Sequence, residues 1–469
     1  MDFKVWKSFF AVKRKRRKRR KPTLNQEADM KGKKKKSTDF RYDTGPAKIA
    51  WSAVGEPARL EDVQALIKFL LPQGEDAKGY EARFKEVEKA LAGLYEKGKP
   101  CGKLTLGNQV ATLEEEVAKF LRCKYVSFLT NATAGFEVAE KFAGLKPGDE
   151  IIAPAITFIA SISYPLSIGA KVVISDVDPK TMNMDPADVA RKITKKTKMI
   201  LPVHIGGYPV DMDPIMALAK KHNITVLEDA AHAFGAKYKG KMAGTIGHFG
   251  AFSFHEVKNI TSLGEGGILC SDQTCGKDFA KARFVGIDPA AKPIAHWLYD
   301  VKALKWKDEY FAPGNHSSTE AQALMLRNQM KRLKGIIAKR KKAAEYLNRR
   351  FKNIPGIVTP PLDSKDITSS HHLYLFQVDP SQLKGDIQRV KEEMAKKGIT
   401  QIPHFAPLYR FSIMKQLGYD TKAIAATCPH AEHAFLHTFT HLPLYEFSMD
   451  DIQYMADTII EIINNMRKK

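Results

Sequence analysis

Cysteine is scarce and unpaired in this chain. Cys101, Cys123, Cys270, Cys275 and Cys428 include no CxxC pair and no histidine partner at metal-ligand spacing. Neither a disulfide-stapled fold nor a metal centre is therefore expected, and a reducing, cytoplasmic setting fits. The adjacent His371 and His372 cannot both point the same way along a strand. A GxGxxG opening a helix is also missing, because Gly240, Gly244, Gly247 and Gly250 are spaced otherwise, so a nicotinamide site has little support. The longest uncharged run, residues 151–170, is interrupted by Pro154 and Pro165 and carries Thr157, Ser161, Ser163 and Ser167. It reads as a buried strand-to-helix segment rather than a membrane span. Residues 2–12 are too short and too charged for a secretory signal, and their basic block follows instead of preceding them.

What is abundant is positive charge, but it is concentrated. The net charge is +23, and residues 1–36 hold 16 Lys/Arg against 3 Asp/Glu, or +13, leaving +10 for the remaining 433 residues. The basicity describes an arm, not a nucleic-acid-binding core. Residues 13–21 and 33–36 are unbroken basic runs, so residues 1–45 are expected to be a disordered basic arm. Three readings of it stay open: a solvated tail, translation assigned upstream of a start at Met30, or a segment for an anionic membrane or nucleic acid. The last gains from Phe3, Trp6, Phe9 and Phe10 beside the charges.

With 469 residues and 44% apolar content the chain can bury a sizeable core, one large domain with a smaller one. Residues 46–112 read as an N-terminal helical segment, with two helices within 60–97 split by Pro72-Gln73-Gly74. From residue 113 helices alternate with β-branched runs near 125–129, 150–152, 171–175, 199–203, 225–227, 251–254 and 267–270. That alternation predicts an α/β fold with a mostly parallel sheet covered on both faces, over residues 113–318. One long Lys/Arg-rich helix over 319–351 is expected to bridge to a small C-terminal α/β domain at 352–469. The latter should hold a strand at 373–378, a helix at 384–397, a short strand at 398–402 and a closing amphipathic helix at 449–466.

The chemistry gathers where strands end. Asp229 follows the apolar run 224–227, and a buried carboxylate there calls for a cation or hydrogen bonds, though capping the next helix would also use it. Glu228 should face the other way, either structural or supporting a residue of the site from behind. Beyond the next strand come Ser253 and Lys258, the latter flanked by Val257 and Ile260, which favour the neutral amine. Lys258 can condense with an aldehyde while Asp229 keeps a pyridine nitrogen protonated, the pairing that pyridoxal phosphate needs. Asn131-Ala132-Thr133-Ala134 between a strand and a helix suits either a phosphate or an ordinary N-cap. Phe158 suits either a stacking platform or core, and His204 either the substrate or a buried hydrogen bond. The turn Gly264-Glu265-Gly266-Gly267 lets backbones approach closely.

Taken in order, several motifs resemble the DegT/DnrJ/EryC1/StrS family of nucleotide-sugar aminotransferases. They are Asn131-Ala132-Thr133-Ala134, Gly148-Asp149-Glu150, residues 154–158, Pro202-Val203-His204, residues 228–235, Phe252-Ser253-Phe254, Lys258 and residues 264–267. Gly314-Asn315, residues 329–333 and Leu442-Pro443-Leu444 extend the likeness from about residue 107 to the C-terminus. The resemblance implies a fold type I pyridoxal-phosphate transferase, a homodimer with shared active sites, an amino-acid donor, typically glutamate, and a nucleotide-linked ketosugar acceptor. It implies Lys258 as the cofactor lysine and general acid/base and Asp229 on the ring nitrogen. Thr133, Ala134 and Ser253 would hold the phosphate, Phe158 would stack on the ring, His232 would lie beside the cofactor, and Asn315 would reach the neighbouring subunit's phosphate. The sequence departs from the family's pattern at Ala132, His248 and His316-Ser317. A related dehydratase branch carries a histidine in place of the lysine, against which Lys258 argues. A binding or regulatory protein that kept the fold and works through its basic arm is the reading from another class.

Overall fold

The computed structural model describes residues 56, 58–71, 76–98, 104–288, 300–306, 309–399, 406–445 and 447–468. The basic arm, Cys101, Pro72-Gln73-Gly74 and most of the strand expected at 398–402 lie outside the described residues. The chain divides into two compact units, residues 1–107 with 289–300 and residues 108–288 with 301–469.

In the first unit, α1 (Leu60–Leu70) and α2 (Ala77–Lys97) form the two helices expected. They run antiparallel: Gln64 Nε2 donates to Glu88 O (3.2 Å), Tyr80 OH to Lys68 O (3.3 Å), and Tyr95 OH to Ala58 O (2.8 Å). Asp76 starts α2 by accepting from Gly79 N, as an N-cap should.

The second unit is built on a seven-stranded sheet. Its strands are β1 (Tyr125–Leu129), β2 (Glu150–Pro154), β3 (Lys171–Ser175), β4 (Thr197–Ile200), β5 (Thr225–Asp229), β6 (Phe249–Ser253) and β7 (Gly267–Ser271), in spatial order β1-β7-β6-β5-β4-β2-β3. Only β7 runs against the others, pairing antiparallel with both β1 and β6. The strands are continuous apolar runs because both faces are covered. α3 (Asn108–Leu121) precedes β1, and the connections include α4 (Ala132–Ala143), α5 (Ala160–Ser167), α6 (Pro186–Lys192) and α7 (Met212–His222). The uncharged stretch 151–170 supplies β2 and α5, with Pro165 inside the helix. Among the described residues no helix is long and apolar enough to cross a membrane.

The helix expected as one piece over 319–351 is two, α8 (Glu320–Met330) and α9 (Leu333–Phe351). Thr319 begins the first with a reciprocal capping box to Gln322. Arg332 N bonds Gln329 O, closing a tighter turn at the junction. No glycine or proline marks the break, since Lys331 and Arg332 keep right-handed helical angles. C-terminal to it, a three-stranded sheet of β8 (Ile357–Val358), β9 (Leu373–Val378) and β10 (Phe439–Pro443) packs with α9, α10 (Ile387–Lys396) and α11 (Met449–Met466) around an apolar cluster of its own. The closing helix falls where its periodicity predicted.

Candidate active site

The parallel strands all present their carboxyl ends to one side, where loops collect ligands. A cavity of about 330 Å³ opens there. β1 delivers Asn131 and Thr133 to it, β2 delivers Thr157 and Phe158, β5 delivers Asp229 and His232, the end of β6 delivers Ser253, and the loop after it Lys258. Six residues named from sequence, Thr133, Phe158, Asp229, His232, Ser253 and Lys258, thus line one cavity.

Asp229 is 5% exposed at the end of β5. Ser161 Oγ donates to its Oδ2 at 2.7 Å and Ala231 N to its Oδ1 at 3.0 Å. Burial pushes its carboxyl up, and the hydrogen bonds, Lys258 and His204 pull against that. Lys258 is desolvated, which brings its amine down to about 8, with Asp229 opposing. Burial is the larger influence on each group, so a cation at Asp229 would offset a desolvation that its neighbours only partly oppose, and the neutral form of Lys258 is favoured. The alternation of β5 turns Glu228 to the opposite face. There, with no exposure, it accepts from Gly244 N (2.7 Å), Ile246 N (2.6 Å) and Gly247 N (2.5 Å) and lies 2.9 Å from His204 Nε2. His204 Nδ1 accepts from Val210 N, so the buried-hydrogen-bond reading of this histidine holds.

Asn131 caps α4, its Oδ1 accepting from Ala134 N at 2.9 Å. Ala134 itself is buried, is not among the lining residues, and gives its N–H to the cap. β7 begins directly behind this turn: a Cβ on Gly267 would lie 2.1 Å from Asn131 C, so only glycine lets the strand pass. Asn315 lies outside the cavity, exposed, its Oδ1 accepting from Ser317 N.

Sequence reasoning missed several lining residues. Ser161 counted only as a polar residue in an uncharged run, and His372 only as an excluded metal ligand; Asn131, His441 and Tyr445 were not singled out as contacts. The His232 and His372 rings lie 4.3 Å apart, and His372 Nδ1 is 2.9 Å from Asn259 Oδ1. Burial pushes both imidazoles well down, so both are neutral. Among the described residues no group of three His, Cys, Asp or Glu could hold a metal ion.

The model of the DegT/DnrJ/EryC1/StrS aminotransferase family matches residues 86–460. The chain belongs to that family. It is 34% identical over 378 residues to the spore coat polysaccharide biosynthesis protein SpsC of Bacillus subtilis, covering 78% of this chain and 92% of that one. To the GDP-perosamine synthase of Caulobacter vibrioides it is 30% identical over 358 residues, covering 76% and 91%. In three dimensions it resembles Spr1654 of Streptococcus pneumoniae, ascribed a sugar aminotransferase role, in its PMP-form. The TM-score is 0.70 at 27% identity, covering 82% of this chain and 97% of that one. The fold is thus that of the pyridoxal-phosphate-dependent sugar aminotransferases, and the chain is an enzyme of the aminotransferase class.

The cavity fits the family's cofactor. A buried carboxylate short of compensation suits a protonated pyridine nitrogen, a desolvated amine suits an aldehyde, and Thr133 and Ser253 beside the N-terminus of α4 suit a phosphate.

Proposed function

We propose that this chain transfers an amino group from an amino acid, glutamate foremost, to the keto carbon of a nucleotide-linked sugar, with pyridoxal 5'-phosphate as its cofactor. The observation that carries the reading is the joint placement of Lys258 and Asp229 in one cavity, each felt electrostatically by the other. The names of relatives such as GDP-perosamine synthase support the acceptor class.

When bound, pyridoxal phosphate supplies an aldehyde and an electron-withdrawing ring. Lys258 would hold the cofactor through its aldehyde, and its amine, when free, would carry a proton at Nζ to or from the reacting carbon. Asp229 holds the proton on the ring nitrogen, and Ser161 holds Asp229 in place through its Oδ2. Thr133, Ser253 and the first turn of α4 orient the phosphate. Phe158, 59% exposed at the cavity, would stack on the ring and limit water's access to it. The neutral His232 and His372 pack beside the site without adding charge. The functional unit is a homodimer in which Asn315, exposed and away from its own cavity, serves the neighbouring site.

The test is the visible absorption of the purified protein with pyridoxal phosphate, before and after glutamate, beside Lys258→Ala. A lysine-dependent band that glutamate converts to a shorter-wavelength species, and that the variant lacks, supports the reading. Failure of any band to form overturns it, whereas a band indifferent to glutamate retires the donor alone. Conversion of the aminated form back by nucleotide-linked ketosugars, and not by free sugars, tests the acceptor.

A further inference from the structure

No residue of the first unit's helical hairpin is among those lining the cavity described above, and α1 precedes the stretch matched by the family model, which begins at residue 86. No residue of α1 is buried. Val63 and Ile67 are half-buried in the hairpin, and Lys68 Nζ pairs with Glu81 at 2.7 Å. The other apolar side of α1 is left to solvent: Leu66, Phe69 and Leu70, at the i, i+3, i+4 spacing of one helical face, are 57%, 81% and 49% exposed, and Leu71 continues them at 39%. α2 adds Leu94 at 72%. Single exposed apolar residues are ordinary, but four within six positions form a face that asks for a partner.

The sequence just before this face carries the partner's signature. Residues 1–36 bring a net +13, and residue 36 stands 24 positions before Leu60. We propose that α1 docks on an anionic lipid bilayer. Leu66, Phe69 and Leu70 enter the boundary between headgroups and acyl chains while the Lys/Arg of residues 1–36 engage acidic headgroups. Charge alone would suit nucleic acid equally, since phosphate contacts need only Lys and Arg. A face of three leucines and a single phenylalanine does not, because single strands are held by base stacking, which Leu66, Leu70 and Leu71 cannot supply. A bilayer takes both halves of the device. Eleven residues at about 1.5 Å each reach only ~16 Å, half a bilayer core, so α1 lies in the interface rather than crossing it. Stable attachment at a membrane surface takes two weak signals together, and an apolar face beside a polybasic segment is such a pair.

The proposal is independent of the reaction assigned above. Full-length protein with pyridoxal phosphate is sedimented with phosphatidylcholine vesicles, with or without phosphatidylserine, for the wild type and a Leu66→Ser/Phe69→Ser/Leu70→Ser variant that keeps the arm. The wild type should bind only phosphatidylserine-containing vesicles and release them as salt rises. The variant should lose more than about tenfold in affinity while keeping the cofactor absorbance and particle size of the wild type. A separate Phe69→Trp protein should shift its emission to shorter wavelength on the same vesicles, a readout that does not depend on how well the triple variant folds. Three results would overturn the proposal. One is a triple variant that binds like the wild type, which leaves the arm acting alone. Another is a wild type that ignores vesicles but binds nucleic acid. The third is a particle size that drops in the triple variant, which assigns the face to a second copy.

Discussion

Replacing Ser161 with alanine tests the electrostatics of the site through a residue the reaction scheme touches only indirectly. Ser161 Oγ donates to Asp229 Oδ2 at 2.7 Å in a pocket where the carboxylate is buried. A hydrogen bond to a charged group contributes about 1.5–3 kcal/mol, against about 0.5–1.5 kcal/mol once that group is neutral. Burial already raises the Asp229 carboxyl and Ser161 lowers it, so the variant should raise it further. The sign follows. The folded-state carboxyl sits above its unfolded value, so its cost to the fold grows as pH rises, and losing Ser161 deepens that cost only where Asp229 is ionised. Urea unfolding of the cofactor-free protein should show the variant less stable by about 1.5–3 kcal/mol at neutral pH, shrinking by about 1 kcal/mol or more at acidic pH. With cofactor bound, the glutamate half-reaction should slow by roughly tenfold per ~1.4 kcal/mol lost at Asp229. Thr157 Oγ1, 2.9 Å from Ser161 Oγ, is one step further out, so Thr157→Val should act in the same direction and less. A destabilisation equal at both pH values would refute the reasoning, because it would make Ser161 a packing residue.

Three more outcomes are expected. The rate at which the apoenzyme takes up pyridoxal phosphate should climb with pH and level off near 8, where the Lys258 amine is held, and not continue toward 10.5; stopped-flow absorbance reads it. Between those values the unfolded chain binds the extra proton, so Lys258's contribution to stability increases with pH across that window. Glu228→Gln should destabilise the fold by about 2–6 kcal/mol without changing the substrate range, since two buried donors then face an amide NH₂; a denaturation midpoint near that of the wild type would contradict this. Mixing inactive Lys258→Ala with inactive Asn315→Ala should restore activity at about a quarter of the sites if subunits exchange and share sites; mixtures that stay dead would confine each site to one chain.

The sheet was legible because its strands are short β-branched runs between helical periods, and every predicted strand of the large sheet appears, shifted by at most a few residues. Asp229, Ser253 and Lys258 could be read because each sits at or just past a strand end, where chain order alone fixes the side of the sheet. Ser161 could not: its partner is 68 residues away, and nothing within the segment distinguishes it from Ser163, which bonds its own helix at Ala160 O. His372 enters the cavity from the residue just before β9, a strand of a different sheet, so no local pattern announces it. His204 was undecidable by sequence, since the buried Glu228 that satisfies it is set by the pairing of neighbouring strands. The break between α8 and α9 passed unseen because its residues are good helix formers in helical angles.

The position of β7 sets a timetable for synthesis. β1 pairs with no other strand of the sheet, and its partners lie far downstream: Tyr125 with Ser271, 146 residues on, and Leu129 with Gly267, 138 residues on. At ~5–20 residues per second a ribosome needs roughly 7–30 s to cover that distance. Throughout this interval the edge that will carry the Asn131 turn of the cavity is an unpaired strand, open to wrong partners. Nascent chains released before residue 271 lack the strand that anchors it, so a chaperone's period of greatest use to this protein ends when β7 leaves the exit tunnel.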